Sequence, residues 1–313
     1  MAEKDMTEKA LEAYNDVFAD IVNNLVFQGK PRIKEKDLEQ GRERSVYSGE
    51  KTLREQERDV SKYWRKKNIR IALIGVENET QPEDDMPFRV IGYDGASYRD
   101  QIHYDLDESG KRIKSFTRYP VITLVLYFGH KRHWDKAKTL YDVIGDHLDD
   151  ELKPLVNDYK INLYEIAYIT DEQLAGFKSD FRFVADYFVQ KRKTRTYVGS
   201  HEKVKHIREV LQLLAVLAND RRFSEVEQSF EEGGEPGTMC EVLDEIEQRG
   251  IKKGEKIGQK KGEKIGEKKG IKKGEERLAK LGQLLLAAGR TDDLAKALKT
   301  ASARTRLYKE FGI

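Results

Sequence analysis

The run PVITLVLYF at residues 120–128 restricts the fold more than any other feature of the chain. Successive side chains of a strand point to opposite faces, so a strand that is apolar at almost every position buries both of them. Such a strand belongs inside a sheet covered above and below, with Gly129 closing it.

The rest of the chain supplies those partners. Leu11, Tyr14, Phe18, Ile21, Val22 and Leu25 recur at helical spacing within 8–28, and Gly29 and Pro31 end that helix. A weak strand falls near Ser45–Tyr47. DVSKYW at 59–64 alternates as a short strand, and IRIALIGVE at 69–77 is a stronger one. MPFRVIGYDGASYRDQI suits a helix, or a strand passing into one, in spite of its two glycines. Residues 134–147 look helical and loop-like, 161–169 alternate as a further strand, and 171–190 and 201–218 read as helices. The sum is a mixed α/β or α+β domain over 1–228.

Beyond it, SFEEGGEPG at 229–237 is turn-rich, and glycines then fall at 250, 254, 258, 262, 266, 270 and 274. Seven glycines inside a helix cost about 7 kcal/mol relative to alanine, so 229–276 reads as a linker and a charged helical tract that is a poor isolated helix. Residues 277–313 form a small helical segment that breaks at Gly289-Arg290.

Charge is spread unevenly. The whole chain carries +2, but 251–277 hold ten Lys and one Arg against five Glu, so +6 sits there and −4 remains for the rest. The tract therefore has two functional readings, an element for homo-oligomers and a contact to a DNA backbone through lysines such as Lys252 and Lys253. The plainer reading is a solvated, partly frayed linker. The single cysteine, Cys240, excludes an internal disulfide and a cysteine zinc site within one chain, and it points to a reducing, cytoplasmic compartment. No signal core and no membrane span are expected.

The acids that stand out are Asp59, Glu77 and Glu79. Asp59 opens one short strand, and 18 residues later Glu77 and Glu79 end the next, on one face because i and i+2 share a face. A hairpin would set Asp59 beside them. Carboxylate oxygens suit a hard cation such as Mg²⁺ (or Mn²⁺), which activates water and offsets phosphoryl charge. Asp16 and Asp20, one helical turn apart, offer an outer carboxylate. Capping and solvated strand ends explain the same acids without a metal. Arg89 suits a phosphate or a structural ion pair, Tyr93 and Tyr98 suit packing, and Gly129 places His130 and His133 in a loop rather than on a metal-binding helix face.

The strings ERDVSKYW, IALIGVENETQPEDDMPFRVIGYDGASYRDQI and YPVITLVLYFG resemble the Rpn family of recombination-promoting nucleases, a transposase-type group within the PD-(D/E)XK nuclease superfamily. FADIVNNLVFQGK, IAYITDEQLAGFKSDFRFVADYFVQKRK, MCEVLDEIEQRGIKKGEK and LYKEFGI extend the resemblance over most of the chain. It implies a mixed sheet flanked by helices and a Mg²⁺-dependent DNA endonuclease that promotes recombination. Asp59 then matches the motif's Asp, Glu77 matches the Glu of Glu-x-Lys, and Asp16 or Asp20 supplies the acid of the first helix. The third motif position, commonly Lys and in this family often Gln, is Glu79 here. A Lys would orient the attacking water; Glu79 can only add a ligand or act as a base. That departure leaves either altered metal use or lost activity open. In the second case the chain is an impaired nuclease fold serving as a DNA-associated or oligomeric adaptor.

Overall fold

The computed structural model describes residues 11–41, 44–48, 53–57, 59–66, 69–102, 104–106, 109–114, 118–228 and 237–313. The start of the expected first helix, residues 8–10, and nearly all of the expected linker, 229–236, lie outside the described residues. Two units are present, Met1–Ile246 and Glu247–Ile313.

The first unit is mixed α/β. Its helices and strands run α1 (Asn15–Leu25), β1 (Leu38–Gln40), β2 (Arg44–Ser48), β3 (Leu53–Glu57), β4 (Val60–Lys66), β5 (Ile69–Glu79) and α2 (Met86–Asp100). There follow β6 (Tyr104–Leu106), β7 (Arg112–Lys114), β8 (Val121–Tyr127), α3 (Leu140–Ile144), β9 (Asn162–Glu165), α4 (Asp171–Gly176), α5 (Phe181–Thr194), α6 (Ile207–Leu217) and α7 (Arg221–Glu227). The main sheet has the order β1-β4-β5-β8-β9. β1, β4 and β5 pair antiparallel; β5, β8 and β9 pair parallel. β2–β3 and β6–β7 are separate hairpins.

The apolar run is interior, as its pattern requires. Leu124, Leu126 and Phe128 pack with Ala72, Ile74 and Val76 into the core shared with α1, α5 and α6. Val125 and Tyr127 face the other way, against Met86, Val90 and Trp134. Helices therefore cover both faces. α2 forms in spite of Gly92 and Gly95 because Pro87 stands in its first turn, where no amide partner is needed, and Met86, Val90 and Tyr93 give it a buried stripe.

Several spans differ from the sequence expectation: the helix expected over 8–28 covers Asn15–Leu25, and that expected over 201–218 covers Ile207–Leu217. Only Asn162–Glu165 of 161–169 is strand, and one 3₁₀ turn follows. The helix expected over 171–190 breaks at 177–180, where the Asp20 carboxylate accepts the amides of Lys178 and Ser179, both at 2.7 Å. That side-chain bond offers the backbone an alternative to helix.

The glycine tract departs most. α8 (Met239–Ala287) is one continuous helix through all seven glycines. A reciprocal capping box starts it: Thr238 Oγ1 accepts the Glu241 amide and Glu241 Oε2 accepts the Thr238 amide. Met239 and Val242 are fully buried in the first unit's core, so the body extends past 228 into this helix. At its other end, within the second unit, Leu281 and Leu285 pack with Ala297 and Leu307 of α9 (Thr291–Lys299) and α10 (Ala301–Glu310). Nucleation is the costly step of a helix. With packed turns at both ends, the glycine-bearing middle has only to propagate. Among the described residues no helix is long and apolar enough to cross a membrane.

Candidate functional site

The expected hairpin brings the acids together. β4 pairs with β5 in the register Val60↔Val76, which carries Asp59 to the level of Glu77. The Asp59 amide donates to Glu77 Oε2 at 3.2 Å, and the Asn78 amide donates to Asp59 Oδ2 at 2.7 Å. Glu77 and Glu79 project from the face of β5 that carries α2. Glu77 is 2% exposed and Glu79 is 18% exposed.

Arg89, one turn into α2, occupies the point where these carboxylates converge. It donates to Glu77 at 2.8 Å, to Glu79 at 2.7 Å and to Glu83 at 2.6 Å. The Tyr93 hydroxyl lies 3.4 Å from the same guanidinium. Of the two sequence readings of Arg89, the structure takes the ion pair. Burial alone would loosen the arginine proton, but Glu77, Tyr93 and Glu79 outweigh it and raise its pKa. Burial, reinforced by Glu77, pushes the Tyr93 phenol above its ordinary range. For Glu79 burial is again the largest influence. Arg89 opposes it, Glu77 and Glu83 add to it, and the carboxyl is pushed up to about 7. A group that titrates near neutrality can hold or release a proton at working pH.

Asp16 and Asp20 do not join this cluster, which corrects the expectation for the first helix. α1 packs on the opposite face of the sheet, with Ile74 and Val76. Asp16 meets Lys205 at 2.7 Å, and Asp20 caps the 177–180 break. The acid on that side that approaches β5 is Glu12, which spacing alone did not single out. It is fully buried and accepts from Asn78 Nδ2 at 2.9 Å. Glu12, Asp16 and Asp20 are spaced four apart; only the placement of α1 selects among them. Glu83 was likewise missed, because it lies in a polar loop with no periodicity.

The two loop histidines separate. His133 pairs with Glu165 at 3.2 Å and stacks on Tyr168, while His130 turns toward α5. Tyr93 packs, as expected, but Tyr98 is half exposed and its hydroxyl accepts the Val121 amide. Lys252 and Lys253 lie on the exposed stretch of α8, in the second unit.

The donor set at Asp59 and Glu77 is all oxygen, which fits a hard divalent cation. In the conformation described, the positive charge facing Glu77 and Glu79 is the Arg89 guanidinium. Among the described residues no group of three or more His, Cys, Asp or Glu side chains is disposed to hold a metal ion. Comparison with known proteins adds no relative: no family model, no curated protein and no solved structure matches the chain.

Proposed function

We propose that the chain is a Mg²⁺- or Mn²⁺-dependent DNA endonuclease of the Rpn family, with the PD-(D/E)XK arrangement of acids, that hydrolyses phosphodiester bonds and so promotes recombination. The observation that supports this reading is the hydrogen-bonded meeting of Asp59 and Glu77 at the carboxyl end of the central strand, with Glu79 on the face of Glu77. Asp59 and Glu77 would hold the cation, which when bound supplies Lewis acidity toward a phosphoryl oxygen. Glu79 would accept a proton from the attacking water. Arg89 can turn its donors from Glu79 and Glu83 toward a phosphate, since a guanidinium matches two oxygens at once. A cytoplasmic setting, where DNA is the substrate, suits the lone cysteine.

A second reading has its own support. Arg89 already balances Glu77 and Glu79, so a chain in which that contact is permanent would be an adaptor that binds DNA, or further copies of itself, without cutting.

Supercoiled plasmid incubated with the parent and with Asp59→Asn, in Mg²⁺ and in EDTA, separates the two. Nicking or linearisation by the parent alone, and only with metal, supports the nuclease. Equal cutting by both proteins places the activity elsewhere. No cutting by folded parent, across Mg²⁺ and Mn²⁺, favours the adaptor.

A further inference from the structure

The loop after β8 carries His130, Lys131 and Arg132 and forms one wall of a cleft of about 870 Å³. A second hollow of about 690 Å³ shares His130, Lys131, Ala218 and Asn219 with it, so the two adjoin. The other walls are the last turn of α5, with Lys191 and Arg192, the residue after it, Arg195, and the turn between α6 and α7. Thr80 and Gln81, which directly follow Glu79, line the larger hollow. The cleft therefore lies at the carboxyl ends of the parallel strands β5 and β8, where open α/β sheets bind their ligands.

Its charge is one-sided. Lys131, Arg132, Lys191, Arg192 and Arg195 line the two hollows; Arg132 is paired with Asp135 at 3.1 Å, and the one carboxylate in the lining, Asp220, is itself held by Arg222 at 2.6 Å. Among the described residues no carboxylate forms an ion pair with Lys131, Lys191, Arg192 or Arg195. The field is felt at His130: burial first, then Lys131 and Lys191, lower its pKa below the ordinary histidine value. The dipole of α5 accounts locally for basic residues in its last turn. It does not account for Lys131 and Arg132, which arrive from a separate loop to face them. Such a cationic hollow in a body of net negative charge attracts a polyanion.

We propose that this cleft is the track of a nucleic-acid backbone, with Lys131, Lys191 and Arg195 on successive phosphates and the strand led past Thr80 and Gln81 to the Glu77–Glu79 end of β5. The direction of delivery rests on the nuclease reading of that end; the binding does not.

Short fluorescein-labelled DNA, single-stranded or duplex, is titrated with full-length protein in EDTA at several salt concentrations and followed by anisotropy. The background is a full-length chain whose ten lysines between 252 and 273 are glutamine, which removes the attraction of the tail. Lys131→Glu/Lys191→Glu/Arg195→Glu in that background is expected to lose about tenfold or more in affinity, and the salt slope to fall by about 2 to 3. Circular-dichroism melting checks the fold, and the Lys131→Gln/Lys191→Gln/Arg195→Gln variant replaces the charge reversal if that unfolds. The stronger of the two DNA forms identifies the strand the cleft accepts. Affinity and slope within about twofold of the background, or binding to phosphopeptide or anionic vesicles in place of DNA, overturns the proposal. If the parent never cuts plasmid and the triple variant still loses binding, the track stands and the endonuclease falls. If the triple variant binds and cuts like the parent, the endonuclease stands and the track falls.

Discussion

Arg89 and Glu77 depend on one another. Glu77 is 2% exposed, and Arg89 is the cation that faces its Oε1. Removing one partner of a buried pair leaves a desolvated charge, so Arg89→Ala is expected to cost about 3–5 kcal/mol in urea unfolding, and adding Glu77→Gln to recover much of it. No recovery would mean that the arginine acts through packing alone. Glu79 sets a pH dependence of opposite sign to that of an ordinary paired carboxylate. Its folded pKa, about 7, lies above its ordinary 4.5, so the folded chain holds this proton more tightly than the unfolded one. The stability it contributes is complete below about 4.5 and is lost as pH rises through about 7. Denaturation midpoints measured in EDTA should fall across that window, and Glu79→Gln should flatten the fall.

Helix α8 shows what a sequence pattern gives at the level of an element and where it stops. By helix propensity the glycine period marks a helix of low intrinsic stability, yet the helix is continuous, with both of its ends packed. No glycine from 250 to 274 has a neighbour within 4 Å of an added Cβ. Gly→Ala at 258, 262 and 266 is therefore expected to stabilise the helix by about 1 kcal/mol per site, read as a higher melting point of the 222 nm signal. Unchanged melting would mean that this stretch is not helical in solution. Gly199 is the opposite case. A Cβ there would come within 2.6 Å of the backbone of Met239 and Cys240, so the docking of the first turn of α8 requires glycine.

For the whole molecule, the end of the first unit matters most. The composition break suggested a boundary at 228, but Met239 and Val242 close the core from beyond it. A chain ending at Gln228 forfeits two fully buried side chains, worth about 1.5–3 kcal/mol each. It should unfold at lower urea than a chain ending at Arg249. Equal midpoints would show that the first turns of α8 are dispensable. The charge asymmetry has a whole-molecule consequence too: a nucleic-acid contact made through the tract's +6 or through the cationic cleft would weaken with rising salt, so its affinity would have meaning only at a stated ionic strength.

By itself the sequence determined the local alphabet of the protein. Apolar periodicity and alternation located β4, β5, β8, α1 and α6 because burial on one or both faces leaves its mark residue by residue. The i, i+2 spacing put Glu77 and Glu79 on one face for the same reason, and the short β4–β5 connection brought Asp59 to them. What spacing cannot encode is which face of the sheet a distant helix covers. The packing of α1 removed Asp16 and Asp20 from the cluster and brought Glu12 to Asn78; the packing of α2 set Arg89 among three glutamates. The cleft belongs to the same category. Lys131 and Lys191 are 60 positions apart in the chain, and no local pattern joins them. Only the packing of the end of β8 against α5, Phe128 on Phe188, brings their charges to one surface.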